Sequence, residues 1–249
     1  MTVRRTWAVA RFEFAVLLRN PEQLLLTLII PMALFIILTR TDLAAALPPT
    51  APDADLLALA GTLGLALFST AFTAQAIATG FERRAGMLRL LATSPASSLD
   101  VLIGKAGATI AMQTAQILVL MATAIILGVT DWATAVILLP ALIGVALLTT
   151  WSTGTWGLIL AGTLRAEAVL AVANAIWLAT LIAGGLIVPA ADLGRLGLVV
   201  QWLPTAAIGD LLRLLLIPAL DAGHLWPALI ALLWGAAGAV LARNRLRWV

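Results

Sequence analysis

The chain has 249 residues, of which 62% are hydrophobic and 11% are charged, and its mean hydropathy is +1.07. Such a composition has too little polar surface to cover a soluble globule, so it indicates an integral membrane protein. Cysteine is absent, which excludes disulfides and thiolate metal sites, and the single histidine, His224, leaves little for metal or acid–base chemistry. The net charge is only +3, so we expect no nucleic acid partner despite the basic pI.

Residues 2–19 have the pattern of an amphipathic helix that lies in the membrane interface. Apolar side chains share one helical face, and arginines cluster on the other side. Arg11 and Glu13 interrupt the apolar stretch, so we do not expect a cleaved signal peptide. Asn20-Pro21 then ends the helix.

Six apolar stretches are long enough to cross a bilayer, which takes about 20 residues of helix. They cover approximately residues 22–39, 56–80, 101–128, 133–162, 168–188 and 223–242. Residues 189–222 hold two shorter apolar runs around Pro204, which suit a re-entrant or interfacial hairpin on the outer side. We therefore predict an all-α membrane protein with six transmembrane helices, forming one domain over residues 1–249.

The basic residues indicate the orientation. With both termini in the cytoplasm, 12 of the 15 Lys and Arg residues lie inside, and the three outside are Arg40, Arg195 and Arg213. Cytoplasmic loops carry an excess of Lys and Arg, so we predict this orientation and a cytoplasmic loop at 81–100. A seventh span over 193–217 would move the C-terminal arginines outside, against the same rule.

Catalytic and nucleotide-binding chemistry is disfavoured. A phosphate-binding loop needs more glycines than the nearest string, Ile103-Gly104-Lys105-Ala106, provides. The predicted spans carry no acidic or basic residue near their middles, where ion-coupled carriers usually keep one. We expect no enzyme activity, no metal site and no cofactor bound by this chain. A carrier that holds sodium with carbonyls and hydroxyls alone stays open.

Neutral polar residues and deep tryptophans within the spans are candidates for a substrate path. Gln113 and Gln116 share one helical face with Thr109. Interhelical hydrogen bonding or packing explains such residues more often than path lining does. The candidates are Gln75, Gln113, Gln116, Trp151 and Asn174. Small residues that would permit close helix contact are Gly154, Gly157, Gly235 and Ala239.

The most polar part of the chain lies between the second and third predicted spans, from Phe81 to Lys105. Read as a helix, its apolar face would consist of Phe81, Ala85, Leu88 and Ala92. Thr93-Ser94-Pro95 should end that helix. One interpretation of this stretch is a basic loop exposed to water. The other is an amphipathic helix that binds a cytoplasmic partner and transmits the partner's motion to the two membrane spans that it joins.

The same stretch carries a family motif. It reads Glu82-Arg83-Arg84-x-Gly86-x-Leu88-x-x-Leu91-x-Thr93-Ser94-Pro95, followed by Leu102-x-Gly104-Lys105. It resembles the loop between the second and third spans of type-2 ABC exporter permeases, a class that includes daunorubicin-resistance-type drug exporters and polysaccharide and lipid exporters. The order of entry helix, six spans and outer segment is similar too, so the resemblance covers most of the chain.

This resemblance implies the permease subunit of an ATP-driven exporter in a bacterial plasma (inner) membrane. A separate cytoplasmic ATP-binding subunit would hold ATP and Mg²⁺ and receive the loop as a coupling helix, and a second permease copy or paralogue would complete the pathway. The implied partner-binding residues are Glu82, Arg83, Arg84, Gly86, Leu88, Leu91 and Pro95. Arg84 and Met87 depart from the family pattern, in which an acidic residue and a small hydroxyl residue are common.

Two other functions stay open on the residues alone. The chain could be a non-transporting membrane anchor or assembly subunit that holds a cytoplasmic partner through the same loop. It could also be a stand-alone secondary carrier with hydroxyl-lined sites. Co-purification with an ATPase would favour the exporter over the carrier.

Overall fold

The computed structural model describes residues 3–19, 25–41, 53–87, 98–217 and 226–245, and every regular element within these ranges is helical. Four helices are long and apolar enough to cross a membrane, namely Ala54–Arg84, Leu99–Ile126, Trp132–Thr163 and Ala166–Ala183. Two shorter apolar helices, Thr27–Arg40 and Trp226–Ala242, occupy the predicted first and sixth spans. The all-helical, multi-pass prediction is confirmed, whereas six full spans remain a prediction.

We number the helices in chain order. The first half contains α1 (Val3–Leu18), α2 (Ile30–Arg40), α3 (Ala54–Phe68), α4 (Gln75–Arg84) and α5 (Ser98–Ile126). The second half contains α6 (Trp132–Thr149), α7 (Thr155–Thr163), α8 (Ala166–Ala183), α9 (Gly197–Val200), α10 (Pro204–Leu216) and α11 (Trp226–Arg245). Three π-helical turns precede or join these helices, at Leu25–Ile29, Ser69–Ala74 and Thr150–Gly154, and a 3₁₀ helix covers Ala190–Leu196.

The starts and ends of several helices follow from local chemistry. The Asp53 carboxylate accepts hydrogen bonds from the backbone N–H groups of Asp55 and Leu56 and so caps α3. Asp131 caps α6 in the same way. Helix α8 ends at Ala183, before the predicted end of the span at 188, because Gly184 and Gly185 follow and Gly185 has a φ of +79°.

The second predicted span, α3 through α4, lies at the centre of the bundle. Nearly all of α3 is buried, and it packs against α2 and α10. The predicted close contact at Gly157 is confirmed, since a Cβ there would lie 2.8 Å from the Phe72 carbonyl oxygen. At Gly235 the indole of Trp151 occupies the space that a side chain would need. Small residues thus bring α7 and α11 against their neighbours.

Residues 189–222, the predicted outer hairpin, contain α9 and α10 among the described residues. Helix α10 packs inside the bundle against α3, α6 and α11. The Thr205 hydroxyl donates to the Gly184 carbonyl oxygen at 2.7 Å. Arg213 donates to the carbonyl oxygens of Gly185 and Leu186 at 2.7 and 2.6 Å. These bonds attach α10 to the segment that follows α8.

The predicted coupling loop at 81–100 is helical at both ends. Helix α4 continues through Arg84 and ends in a turn at Ala85 and Gly86, where Gly86 has a φ of +74°. Only glycine adopts this conformation without strain, so the prediction of one continuous helix from Phe81 is wrong at this turn. Residues 88–97, and with them the rest of the predicted apolar face, lie outside the described residues.

Candidate functional site

Lys105 lies among carboxylates at the end of the bundle that carries the polar loop. Its Nζ is 2.6 Å from Oε2 of Glu82 and 2.9 Å from Oε1 of Glu13. The side chains of Lys105, Glu13 and Glu82 are only 4%, 13% and 22% exposed. Removing charges from water costs free energy, and short charge-assisted hydrogen bonds offset part of that cost. These three residues, the Lys105 cluster, join α5, α1 and α4.

Gly104 explains how α1 reaches this cluster. A Cβ at this position would lie 2.5 Å from Cγ1 of Val9 and 3.1 Å from the backbone nitrogen of Ala10. Only a residue without a side chain permits that approach. The Gly104-Lys105 pair of the family motif therefore has two physical roles in this chain, because the glycine admits α1 and the lysine binds its carboxylate.

The two arginines after Glu82 make different contacts. The Arg83 guanidinium donates to the carbonyl oxygens of Gly162 and Leu164, at the end of α7. Arg84 pairs with Glu167 in the first turn of α8, and both of these side chains are 63% exposed. The end of the second predicted span is therefore tied to the connection between α7 and α8.

Four of the seven predicted partner-binding residues are described. Glu82 and Arg83 point into the bundle and contact other helices, whereas Arg84 is exposed and Gly86 lies in an open turn. The other three predicted residues, Leu88, Leu91 and Pro95, lie outside the described residues. Among the described residues, Arg84 is thus the predicted partner-binding residue whose charged side chain is mostly exposed.

Gln113 and Gln116 connect the three π-helical turns. The Thr150 hydroxyl donates to Oε1 of Gln113 at 2.8 Å. Nε2 of Gln116 donates to the Thr27 carbonyl oxygen at 2.9 Å and to the Thr70 hydroxyl at 2.8 Å. Both glutamines are fully buried. Their hydrogen bonds join different helical segments, which is the more frequent role of such residues within membrane spans.

The candidates for a substrate path do not converge on one site. Gln75 lines a cavity, while Gln113 and Gln116 lie in the packed interior. Trp151 is 43% exposed and its indole packs over α11, and Asn174 is exposed on α8. The last two therefore face the outside of this chain.

The cavity lined by Gln75 lies between α1, the first π-helical turn, the second predicted span and α5, and its volume is about 40 Å³. Its walls are Glu13, Thr27, Thr70, Ala74, Gln75, Ala78, Thr79, Lys105, Ala108, Thr109 and Met112. It therefore adjoins the Lys105 cluster. The Thr79 hydroxyl oxygen is buried without a hydrogen-bond partner among the described residues.

Glu13 and Thr79 are the site residues that sequence reasoning did not single out. Glu13 was visible as the one acidic residue in a basic and apolar helix, and Thr79 carried no distinguishing signal. Across the described ranges, no group of three or more His, Asp and Glu side chains is arranged to hold a metal ion.

Comparison with known proteins identifies the family of the chain. A search of curated proteins finds no match. Residues 4–217 match the ABC-2 type transporter family, a match that runs from α1 to the segment after α10 and includes the whole Lys105 cluster. Proteins of this family are membrane components of ABC transporters and are not themselves catalytic. Because the match covers most of the chain, this protein belongs to the ABC-2 type transporter family.

Proposed function

We propose that the chain is the permease subunit of an ATP-driven exporter and that a separate cytoplasmic subunit binds ATP and Mg²⁺. One observation carries the proposal, namely that both ends of the polar loop are attached to several helices. Before the loop, Arg83 contacts the end of α7, and after it Lys105 contacts α1 and α4. A force on the loop would therefore act on four helices together, because packed elements transmit displacement.

A second permease copy or paralogue would complete the substrate pathway. Helix α8 supports this part of the proposal because most of its surface is exposed, including Leu170, Asn174 and Leu178. An amide that faces hydrocarbon without a partner is costly. Contact with another protein surface would supply a partner for Asn174.

The proposed location is the bacterial plasma membrane, with both termini in the cytoplasm. The chain contains no cysteine, so single cysteines at Ala54 and Ala85, both exposed, report the two sides directly. An impermeant thiol reagent added to intact cells should label Ala54→Cys and leave Ala85→Cys unlabelled until the cells are opened. The reverse pattern would contradict the orientation.

The coupling role is tested by exchanging the charges of Arg84 and Glu167. In this test the permease would be reconstituted with its ATP-binding subunit. ATP-driven transport would then be measured for Arg84→Glu, Glu167→Arg and the double variant. If Arg84 also binds the partner, Arg84→Glu lowers transport and the double variant does not restore it, although the internal pair is restored. Membrane insertion should be normal in all three variants, because an exposed ion pair contributes only about 0–1 kcal/mol.

Two outcomes would contradict this proposal. Normal transport and substrate-stimulated ATP hydrolysis by the Arg84→Glu complex would remove the coupling role of this residue. A permease that co-purifies with no ATP-binding subunit would contradict the exporter itself.

A further inference from the structure

We propose that one face of α1 binds the headgroups of anionic phospholipids. This face, the exposed face of α1, consists of Trp7, Arg11, Phe12 and Arg19, all of which are exposed. The proposal rests on the membrane location that the family implies and does not depend on the proposed transport function. Three features carry it, namely the direction of the face, its uncompensated positive charge and its aromatic side chains.

The exposed face of α1 points away from the bundle. On the other side of the helix, Val9 and Ala10 lie against Gly104 of α5. Glu13 is on that inward side too, because it contacts Lys105 of α5. Successive residues of an α-helix are rotated by about 100°, which puts the exposed face opposite to these contacts. The face therefore meets the surroundings of the bundle.

Helix α1 lies near the end of two spans. Its contact residue on α5, Lys105, is six residues, or about 9 Å of helix, from the start of the span Leu99–Ile126. Lys105 also contacts Glu82, which is two residues before the end of the span Ala54–Arg84. Phospholipid headgroups lie at the level where spans leave the hydrocarbon layer. The exposed face of α1 is therefore at the depth of lipid phosphates.

The face carries positive charge that the described residues do not compensate. Residues 3–19 contain four arginines and one acidic residue, Glu13. Glu13 contacts Lys105 on the inward side and so cannot neutralise the exposed face. Within the described ranges, neither Arg11 nor Arg19 has an ion-pair or hydrogen-bond partner. A guanidinium group matches the geometry of a phosphate, so a headgroup phosphate would supply the counter-charge.

The aromatic side chains favour a lipid over a soluble anion. Trp7 is 70% exposed and Phe12 is 50% exposed, and both lie beside Arg11 on the face. Tryptophan is enriched at membrane–water interfaces, where an aromatic ring enters the boundary between headgroups and acyl chains while arginine reaches the phosphate. A soluble anion would contact the arginines and leave both rings in water. A phospholipid meets both requirements.

The test measures the unfolding temperature of the purified full chain in a neutral detergent, with phosphatidylglycerol or phosphatidylcholine added to the micelles. A lipid that binds the folded state stabilises it by mass action. With phosphatidylglycerol we expect a saturable rise of about 3–6 °C at ten times its apparent Kd, and a smaller rise with phosphatidylcholine. Added NaCl should increase the Kd for phosphatidylglycerol, because salt screens exposed charges. Equal rises with the two lipids would overturn the proposal.

Two matched variants locate the site. Arg11→Gln should increase the apparent Kd for phosphatidylglycerol about fivefold, because each arginine near an anionic surface contributes about that factor. Arg165→Gln is the control, since Arg165 is exposed at the connection between α7 and α8 and its replacement removes the same charge outside the face. It should leave the Kd nearly unchanged. Equal effects of the two variants would show that only net charge matters and would overturn the proposal.

Two other occupants of the face give different results. A free-anion site would produce the same rise with inorganic phosphate as with phosphatidylglycerol, and this would overturn the proposal. If the face bound the ATP-binding subunit, Arg11→Gln would weaken co-purification with that subunit and leave the response to phosphatidylglycerol unchanged, which would also overturn it. Either result would leave the proposed exporter function intact.

Discussion

Two buried cations in this protein are held in different ways. Lys105 contacts two carboxylates that belong to two other helices, α1 and α4. Arg213 contacts Asp210 of its own helix, with 2.7 Å between Nη1 and Oδ1. It also contacts the backbone carbonyl oxygens of Gly185 and Leu186. Both cationic side chains are about 5% exposed or less.

The two sets of contacts differ in how far they depend on charge. We call the contacts of Lys105 with Glu13 and Glu82 the adjustable joint. We call the contacts of Arg213 with the carbonyl oxygens of Gly185 and Leu186 the fixed joint. Carbonyl oxygens cannot lose their acceptor function, so the bonds from Arg213 to Gly185 and Leu186 persist whatever happens to neighbouring charges. The bond from Lys105 of α5 to Glu13 of α1 is an attraction between opposite charges, so removing either charge weakens it. The end of the bundle with the polar loop therefore has the adjustable joint, and the segment after α8 has the fixed one.

The largest effect is expected for Lys105→Met. This change leaves Glu13 and Glu82 without their counter-charge, and breaking a buried ion pair from one side costs about 3–5 kcal/mol. Since the carboxylates keep some exposure, we expect about 3 kcal/mol and a decrease of about 6–12 °C in Tm, measured by thermal unfolding in detergent. Adding Glu13→Gln should recover part of the loss, and an unchanged Tm in Lys105→Met would contradict the charge-dependent joint.

Arg213→Met should cost less, about 2 kcal/mol, measured in the same way. It removes charge-assisted bonds to Asp210 and to two carbonyl oxygens. The decisive comparison is the double variant with Asp210→Asn. We expect a smaller recovery, because the Asp210 side chain is 38% exposed and the carbonyl groups of Gly185 and Leu186 stay without their donor. Recovery equal to that of the Lys105 pair would mean that the two joints are alike.

Gly104→Ala tests the packing of the adjustable joint without changing any charge. Overpacking costs about 1–3 kcal/mol, and the better helix propensity of alanine returns about 1 kcal/mol, so we expect a net loss of about 1 kcal/mol. Val9→Ala should relieve part of it, since Val9 Cγ1 is the nearest atom. The control is Gly144→Ala in α6, where nothing lies within 4 Å of the added Cβ. Equal effects of the two alanines would show that α1 does not pack closely on α5.

The smallest effect concerns Asp131, an exposed carboxylate outside both joints. Hydrogen bonds from the Thr134 hydroxyl and backbone N–H lower the pKa of Asp131. A lowered pKa in the folded state means that the charge stabilises α6 above the unfolded pKa, about 3.9, and that this contribution is lost as the pH falls through the folded pKa. The Tm difference between the natural protein and Asp131→Asn should be constant from pH 7 to 5 and shrink below pH 4. A difference that grows in acid would contradict this cap.

Much of the fold could be predicted because composition and helical periodicity are local properties. The entry helix α1, the buried face of Gln113 and Gln116 and the close contact at Gly157 follow from spacing alone. The end of α8 was predicted too late because Leu186, Ile187 and Val188 continue the apolar run. The signal that ends the helix is the glycine pair before them.

The candidate site was less predictable because its contacts join distant segments. Lys105 was expected at the end of a span, where a lysine usually reaches water. Its burial depends on Glu13 and Glu82, which reach it only after α1 and α4 have packed on α5. For the same reason the inward contacts of Arg83 with α7 could not be inferred from the motif.

The three π-helical turns have a consequence for changes in chain length. A π-helical turn accommodates one more residue than an α-helical turn while the helices on both sides keep their facing. Removing one residue from Ser69–Ala74 or Thr150–Gly154 should therefore give a regular α-helix, whereas the same deletion in the middle of α5 should rotate every later side chain by about 100°. Deleting one residue at either of these two turns should leave membrane insertion normal, whereas deleting one residue within α5 should impair it.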